Sequence, residues 1–346
     1  MAGAAAHNSP TAIDTDRFSR ALRSRGISLA DLTVRISTLT ASEQEQDLSE
    51  PANCGGLGRV RHFRRATAPG WPENPLPIDP ASRALNRPAT PQLRAQVFQN
   101  AVCNWRCWYC YVDFELLSGR SDRSQMVSAD QLVDLWRSSP DPADVLDLSG
   151  GQPDLVPEWV AWTLRAVQER GLENDTYVWS DDNLSNDYFF SCLTRQDRQL
   201  LDEYRNYGKV CCFKGFDPQS FAFNTAAAPE LFDRQFALMR RLVQETNIDL
   251  YAYATFTSPV DDGLGDAMKR FVDRVQDIDE YLPLRLVPLR IETFTPTKGR
   301  TTPETARAAE VQDDAAQAWT EELAERFSAA DLTLPAHEVP LRGRRR

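Results

Sequence analysis

Histidine is scarce in this chain: only His7, His62 and His337 occur in 346 residues. A mixed histidine–cysteine metal site would therefore need a ligand from far along the sequence. No apolar run approaches the roughly 20 residues that span a bilayer. The first thirty residues are alanine-rich but lack the continuous apolar core of a signal peptide. A soluble cytoplasmic protein is the expectation, with no membrane partner. Basic excess is also missing. The 39 Lys and Arg against 50 Asp and Glu leave a formal charge of −11, which excludes a general nucleic-acid footprint. The seven cysteines are odd in number and clustered, unlike a disulfide framework, and suit a reducing compartment. None follows Cys212, and no internal repeat of fixed period is visible.

What is present is an ordinary globular composition, 42% hydrophobic and 26% charged, with room for one large core or two modest ones. Residues 1–50 carry a short helical pattern at 16–24 and a candidate strand at 32–36. Residues 51–92 are rich in Pro, Gly and Arg and are expected to wrap irregularly, since proline blocks regular pairing. Strands are expected at 97–102, 145–148, 176–179, 209–213, 249–255 and 284–291. Helices are expected at 129–138, 158–170, 198–207, 230–246 and 264–278, with a last one from 304 to about 330. Alternation of this kind implies a parallel sheet with helices outside. Six units suggest an α/β fold, an open partial (βα)6 barrel over 97–300. An N-terminal extension (1–96) precedes it, and a C-terminal helix with a basic tail (301–346) follows. Chemistry in such barrels sits at the carboxyl edge of the strands.

Two arginine-rich patches stand out. Arg59, Arg61, Arg64, Arg65, Arg83, Arg87 and Arg94 face only Glu73 and Asp79 in the same stretch, and four of residues 342–346 are arginine. They read as solvated surface, as an anion-binding lid, or as a dock for an acidic partner.

The most informative segment is the C-x3-C-x2-C run of Cys103, Cys107 and Cys110, directly after the first barrel strand. It offers three soft ligands to a metal or an iron–sulfur cluster, and no fourth cysteine is near. Cys54 lies far upstream, and Cys192, Cys211 and Cys212 far downstream. A closed structural site wants four protein ligands, whereas a reactive one keeps a position open. Positions 103, 107 and 110 also share one helix face, so buried helical cysteines are an alternative. A zinc site with a distant fourth ligand and a non-catalytic iron–sulfur module are two more. The second strand ends in Ser149-Gly150-Gly151-Gln152-Pro153, where paired glycines let the backbone approach a ligand. The third ends in Ser180-Asp181-Asp182-Asn183, a polar cluster suited to hydroxyl groups. Lys214, Asp217, Arg290 and Glu292 sit at later strand ends, where they are candidates to line a substrate pocket. Adjacent Cys211 and Cys212 must point to opposite faces of their strand.

Taken together, residues 97–300 resemble the radical S-adenosylmethionine (SAM) superfamily. The thiolate motif, with aromatic Tyr109 before its third cysteine, and the Gly150-Gly151 strand end carry that resemblance. The compact core most resembles the glycyl-radical-enzyme activases. The resemblance implies a [4Fe–4S] cluster on Cys103, Cys107 and Cys110, its fourth iron chelated by SAM. It implies Tyr109 against the adenine and the Gly150-Gly151 backbone on the methionine amino group. Ser180 and Asp182 are assigned to the ribose hydroxyls. Reductive cleavage of SAM would give a 5′-deoxyadenosyl radical that takes hydrogen from a small metabolite, a nucleotide or a polypeptide. An external electron donor such as a flavodoxin or ferredoxin is implied. Lys214, Arg290 and Cys211 are the catalytic candidates, an inward cysteine being able to return a hydrogen atom. Arg300 is a candidate cap over the adenosyl group. Gln152 departs from the superfamily's usual Glu and would bind an ammonium group without the ionic contribution. Gln152→Glu is therefore expected to tighten SAM binding. The lack of cysteines after the barrel speaks against an auxiliary-cluster peptide maturase.

Overall fold

The structure, a computed structural model, describes residues 12–341; His7 and the arginines of 342–346 lie outside the described residues. Ten strands form in chain order: β1 (Ile27–Ser28), β2 (Thr33–Ser37), β3 (Gly58–Arg64), β4 (Gln92–Phe98), β5 (Ser124–Ser128), β6 (Val145–Leu148), β7 (Tyr177–Asp182), β8 (Tyr207–Phe213), β9 (Asp249–Ala254) and β10 (Leu286–Pro288). Seven of them make one mixed sheet, in the order β10-β9-β8-β7-β6-β4-β3. It curls into a half-barrel. Every pair from β4 to β10 is parallel, and only β3 runs antiparallel, pairing with β4 over its whole length.

The burial pattern explains the choice of a parallel sheet. All residues of β6 and β8 are buried, as required of strands covered on both faces. Strand parity then sorts the side chains. Val145, Tyr177, Trp179, Val210, Cys212, Tyr251, Tyr253 and Val287 share one apolar cluster inside the curl. Leu146, Leu148, Val178, Cys211, Phe213, Leu250 and Ala252 face outward into the larger core under the helices. The helix Glu158–Glu169 packs there through Val160, Leu164 and Val167. Ser128 and Gln131 form a capping box on Ala129–Arg137, and Thr194 and Asp197 one on Arg195–Glu203, which fixes where the chain turns from loop to helix.

Several element boundaries differ from those expected. The stretch 51–92 holds β3 and the helix Ile78–Ala84. Arginines at alternate positions of β3 hide its strand character, because Arg59 turns to the Tyr111 hydroxyl and Arg61 to the buried Asp147. The first parallel strand begins at Gln92, five residues early. The region expected as helix at 198–207 gives up Tyr207 to β8. A helix at Pro218–Thr225, capped by Asp217, was not foreseen. The final parallel strand is only three residues long. The C-terminal helix is Pro303–Arg326.

A second, antiparallel sheet, β1-β2-β5, lies beside the first. Ser37 N–H donates to Gln99 O at 2.9 Å and Ala101 N–H to Arg35 O at 3.0 Å, so β2 braces the chain as it leaves β4 for the cysteines. Among the described residues, no helix is long and apolar enough to cross a membrane.

Candidate functional site

Residues 101–113 form an irregular loop, not a helix, which removes the helical-cysteine alternative. Its shape is set by partners from three other segments. Cys103 N–H donates to Leu117 O (3.1 Å), Arg106 N–H to Thr225 O (3.1 Å) and Trp108 N–H to Asn224 O (3.3 Å). Trp105 is buried edge-on against Phe221, 5.2 Å between ring centres. Two guanidiniums clamp the loop's carbonyls. Arg106 donates to Cys103 O and Trp105 O (2.6 and 2.8 Å), and Arg300 to Cys110 O and Val112 O (2.7 and 3.0 Å). Both also lie over the Phe114 ring. Arg300, expected as a cap over an adenosyl group, instead ties the cysteine loop to the end of the half-barrel.

All three thiols line one cavity of about 400 Å³ at the carboxyl edge of the parallel strands. Tyr109, Gly150, Gly151, Lys214, Arg290 and Glu292 line it too, together with Arg61, Asp181, Asn183, Cys212 and Tyr253. Burial pushes the Cys107 thiol up to about 12; Lys214 opposes this, and Cys110 and Cys103 add to it. Cys110 is also raised, by burial first and then by Cys103. Yet no three His, Cys, Asp or Glu side chains among the described residues are gathered so as to hold a metal ion. A tetrahedral zinc at about 2.3 Å from each sulfur needs thiolates nearly in contact. A four-iron cluster takes each cysteine on a different iron and holds them further apart. Cys103, Cys107 and Cys110 line this cavity with Cys212 on the same wall, and a set of soft sulfur donors of this kind suits an iron–sulfur cluster.

The glycine turn is dictated by packing. Gly150 and Gly151 have φ of +81° and +70°. A Cβ on Gly151 would lie 2.7 Å from Val102 O and nearer still to Asn100 O, so the turn after β6 lies directly on the chain leading to Cys103. Gln152 N–H donates to Val102 O (2.7 Å) and Asn100 Nδ2 to Gln152 O (2.9 Å), locking the two loops together.

The side chain of Gln152 does not reach the cavity. It is fully buried; Nε2 donates to Asp182 (2.8 Å) and Ser185 (3.3 Å), and Oε1 accepts from Asn183 N–H (2.9 Å). Ser180 pairs with the Tyr207 hydroxyl at 2.8 Å, and Asp182 also accepts from Leu184 N–H. Neither lines the cavity. β7 runs three residues further than expected, and parity within it turns Ser180 and Asp182 outward and Asp181 inward. These placements differ from the expected SAM contacts of Gln152, Ser180 and Asp182. The Gln152→Glu expectation reverses with them. A glutamate there would lose the donor to Asp182 and set two carboxylates together in the interior. The expected result is a stability loss of about 2 kcal/mol or more in urea titration, not tighter SAM binding.

Cys211, named as a catalytic candidate, is fully buried on the helix side, and its neighbour Cys212 is the one on the cavity wall. Asp217 is a helix cap, accepting from Ser220 N–H at 2.7 Å, and also lies off the wall. Arg290 does line the cavity, paired with Asp313 at 2.6 Å and lying over Trp71. Lys214 is nine-tenths buried, and among the described residues its ammonium makes no hydrogen bond or ion pair. Burial works against that ammonium, but Cys212, Tyr109, Cys107 and Asp181 together raise it, so it stays charged. Asp181 is pushed up to about 7 by burial and then by Asp147, with Arg61 and Lys214 opposing. Arg61 of β3 stands 3.6 Å from the buried Asp147. Asn183 donates to the Cys103 sulfur at 3.6 Å. Asp181 and Asn183 were expected only as part of a polar strand-end cluster, Arg61 only as one of seven arginines, and Cys212 as one of two adjacent cysteines; strand parity around the third and fourth strands was the signal that singles them out.

Beneath the glycine turn, Lys209 Nζ meets Asp154 at 2.7 Å, and both are almost completely buried. Burial disfavours the ammonium, and the facing carboxylate outweighs it. Lys209→Met would leave that carboxylate unpaired and is expected to cost about 3–5 kcal/mol in chemical denaturation. A Lys209→Met/Asp154→Leu double variant should recover much of it.

Fold and cavity together define the chain as a mixed α/β half-barrel whose carboxyl-edge cavity is lined by Cys103, Cys107, Cys110 and Cys212. No protein-family model matches the chain. No curated protein matches it either. Among solved structures it is similar in part to Streptococcus suis SuiB bound to S-adenosylmethionine, with TM-score 0.41, 17% identity, and 64% of this chain on 47% of that one. SuiB bound to the precursor peptide SuiA overlaps less, with TM-score 0.38, 15% identity, and 53% of this chain on 36% of that one. The chain thus spans less than half the length of those proteins, and overlaps this partial carry no argument about its activity.

Proposed function

We propose that this chain is a radical SAM enzyme with a single [4Fe–4S] cluster. The observation that carries the reading is the convergence of Cys103, Cys107, Cys110, Tyr109, Gly150 and Gly151 on one cavity at the carboxyl edge of the parallel strands. In this reading the three thiolates hold the cluster, and the open position faces the glycine turn. The Gly150-Gly151 backbone and the Tyr109 ring form the wall against which the methionine and adenine parts of SAM rest. When bound, the cluster and SAM supply a one-electron cleavage of the sulfonium and a carbon radical able to take hydrogen from a substrate. The remaining tasks belong to the protein. Arg106 and Arg300 hold the thiolate loop in position from both ends. The aromatic and apolar wall limits water in the cavity. Lys214 supplies a positive charge that interacts with Cys107 and Tyr109 and has no hydrogen-bond or ion-pair partner for its ammonium among the described residues.

The cavity wall favours a small substrate bearing an anionic group. Arg61, Arg64, Lys214 and Arg290 line it against Asp181 and Glu292, in a protein that is acidic as a whole. All seven cysteines are free, which suits a reducing compartment. Anaerobic purification tests the cluster directly. The expected result is brown protein with about four irons per chain, whose spectrum changes on adding SAM. Colourless protein carrying zinc would favour the non-catalytic metal module instead.

A further inference from the structure

The helix Thr15–Gly26 reads TDRFSRALRSRG, with four arginines in twelve residues. Its buried face rests on the cysteine loop. Asn104 Nδ2 donates to Ser19 Oγ at 2.9 Å, Trp105 Nε1 to Thr15 Oγ1 at 3.3 Å, and Arg106 lies over the Phe18 ring. Leu22 packs with Val102 and Leu155. The opposite face is solvent-exposed and carries Arg17 and Arg20, with Arg25 on its flank. Among the described residues none of these three guanidiniums has an ion-pair partner. Of the neighbouring acids, Asp16 is held by Arg234 and Glu158 by Arg23, Asp14 caps the helix, and the exposed Asp31 between the two leucines accepts from Ser28 Oγ at 2.7 Å. Beside this face runs an open groove lined by Arg20, Arg23, Ile27, Leu29 and Tyr188, with no carboxylate on its wall. Leu29 and Leu32, at the turn next to it, are the two most exposed large apolar side chains described, at 57% and 56%. An apolar centre with Tyr and Arg, rimmed by unpaired positive charge, has the composition of a protein interface.

We infer that this face is the docking site of an acidic one-electron carrier protein. The inference rests on the cluster reading above, because the cluster is what would receive the electron. Two features select that partner. An exposed positive face in a chain of net charge −11 selects for an acidic surface. Only one helix, about 10–12 Å across with its side chains, separates the face from the loop bearing Cys103. The transfer is balanced as it stands: the carrier loses one electron, the cluster gains it, and no bond or proton moves.

The test uses the anaerobically purified, cluster-loaded full chain and the double variant Arg17→Glu/Arg20→Glu, with Leu29→Asp as a separate variant. Cluster reduction is followed in stopped flow with reduced flavodoxin, an acidic carrier, and with a photoreduced deazaflavin as small reductant. With flavodoxin, the wild-type rate should fall as salt rises. Charge reversal should slow it about tenfold or more at low salt and flatten the salt dependence. Leu29→Asp should also slow it. The deazaflavin rate and the iron content should match wild type in both variants. Equal flavodoxin rates in wild type and the double variant would overturn the docking site while leaving the cluster reading intact. Wild-type protein without iron would overturn the cluster reading, and the docking site with it.

Discussion

Cys107→Ala is expected to reduce bound iron from about four per chain to near zero and to abolish SAM cleavage, with the fold retained. A cluster held by three thiolates has no protein ligand to spare, so the loss of one should be complete and not graded. The fold should survive because cysteine is not what shapes the loop. Trp105 against Phe221, the two arginine clamps and the backbone bonds to Leu117, Asn224 and Thr225 all remain. Removing one buried sulfur should cost about 1–2 kcal/mol, visible as a modest shift of the unfolding midpoint. Iron analysis and circular dichroism on the same sample check both halves. Wild-type iron in a folded variant would remove Cys107 from the ligand set.

Gly151→Ala should act by the opposite route, through the fold first. A methyl group there would overlap two backbone carbonyls, Asn100 O and Val102 O, and the residue would have to hold φ at +70°. The left-handed backbone alone costs about 1–2 kcal/mol for a non-glycine residue. Overpacking against rigid backbone adds about 1–3 kcal/mol more. The sum, about 2–5 kcal/mol, is a large part of the stability of a typical domain. Gly263→Ala is the control, because it has the same φ of +70° and no atom within 4 Å of its Cβ. It should lose only the backbone contribution. Equal losses at the two sites in urea titration would mean that the turn after β6 does not lie tightly on the cysteine loop. Because the two loops are locked together, Gly151→Ala should also lower iron content, which Gly263→Ala should leave unchanged.

The parts of this fold that were legible in the sequence are those governed by local pattern. Runs such as Val145–Leu148 are buried on both faces and read plainly as parallel strands. The helix Glu158–Glu169 shows its apolar stripe at helical spacing. The cysteine spacing pointed to a loop that gathers thiols, and the structure puts all three on one cavity. What the sequence hid depends on long-range geometry. β3 looked irregular because Arg59 and Arg61 occupy alternate positions, where a strand normally shows its apolar face; their partners, Tyr111 of the cysteine loop and Asp147 of β6, lie some fifty and eighty-six residues on in the chain. Choosing Cys211 over Cys212, and Ser180 and Asp182 over Asp181, was a parity error. A strand's phase is fixed by its neighbours' register, and a shift of one residue exchanges the two faces. Strand-end position placed Lys214, Arg290 and Glu292 on the cavity wall correctly but misplaced Asp217, which caps a helix instead. Gln152 was read as a ligand contact because its position in the glycine turn is visible, whereas its partners Asp182, Asn183 and Ser185 lie about thirty residues on.

The most direct test of the central claim is an anaerobic assay of the reconstituted protein with SAM and a strong one-electron reductant, read by chromatography for 5′-deoxyadenosine. The account expects 5′-deoxyadenosine and methionine to form from wild type, even without a co-substrate, and not from Cys107→Ala. Iron-loaded wild-type protein that leaves SAM intact under these conditions would contradict it.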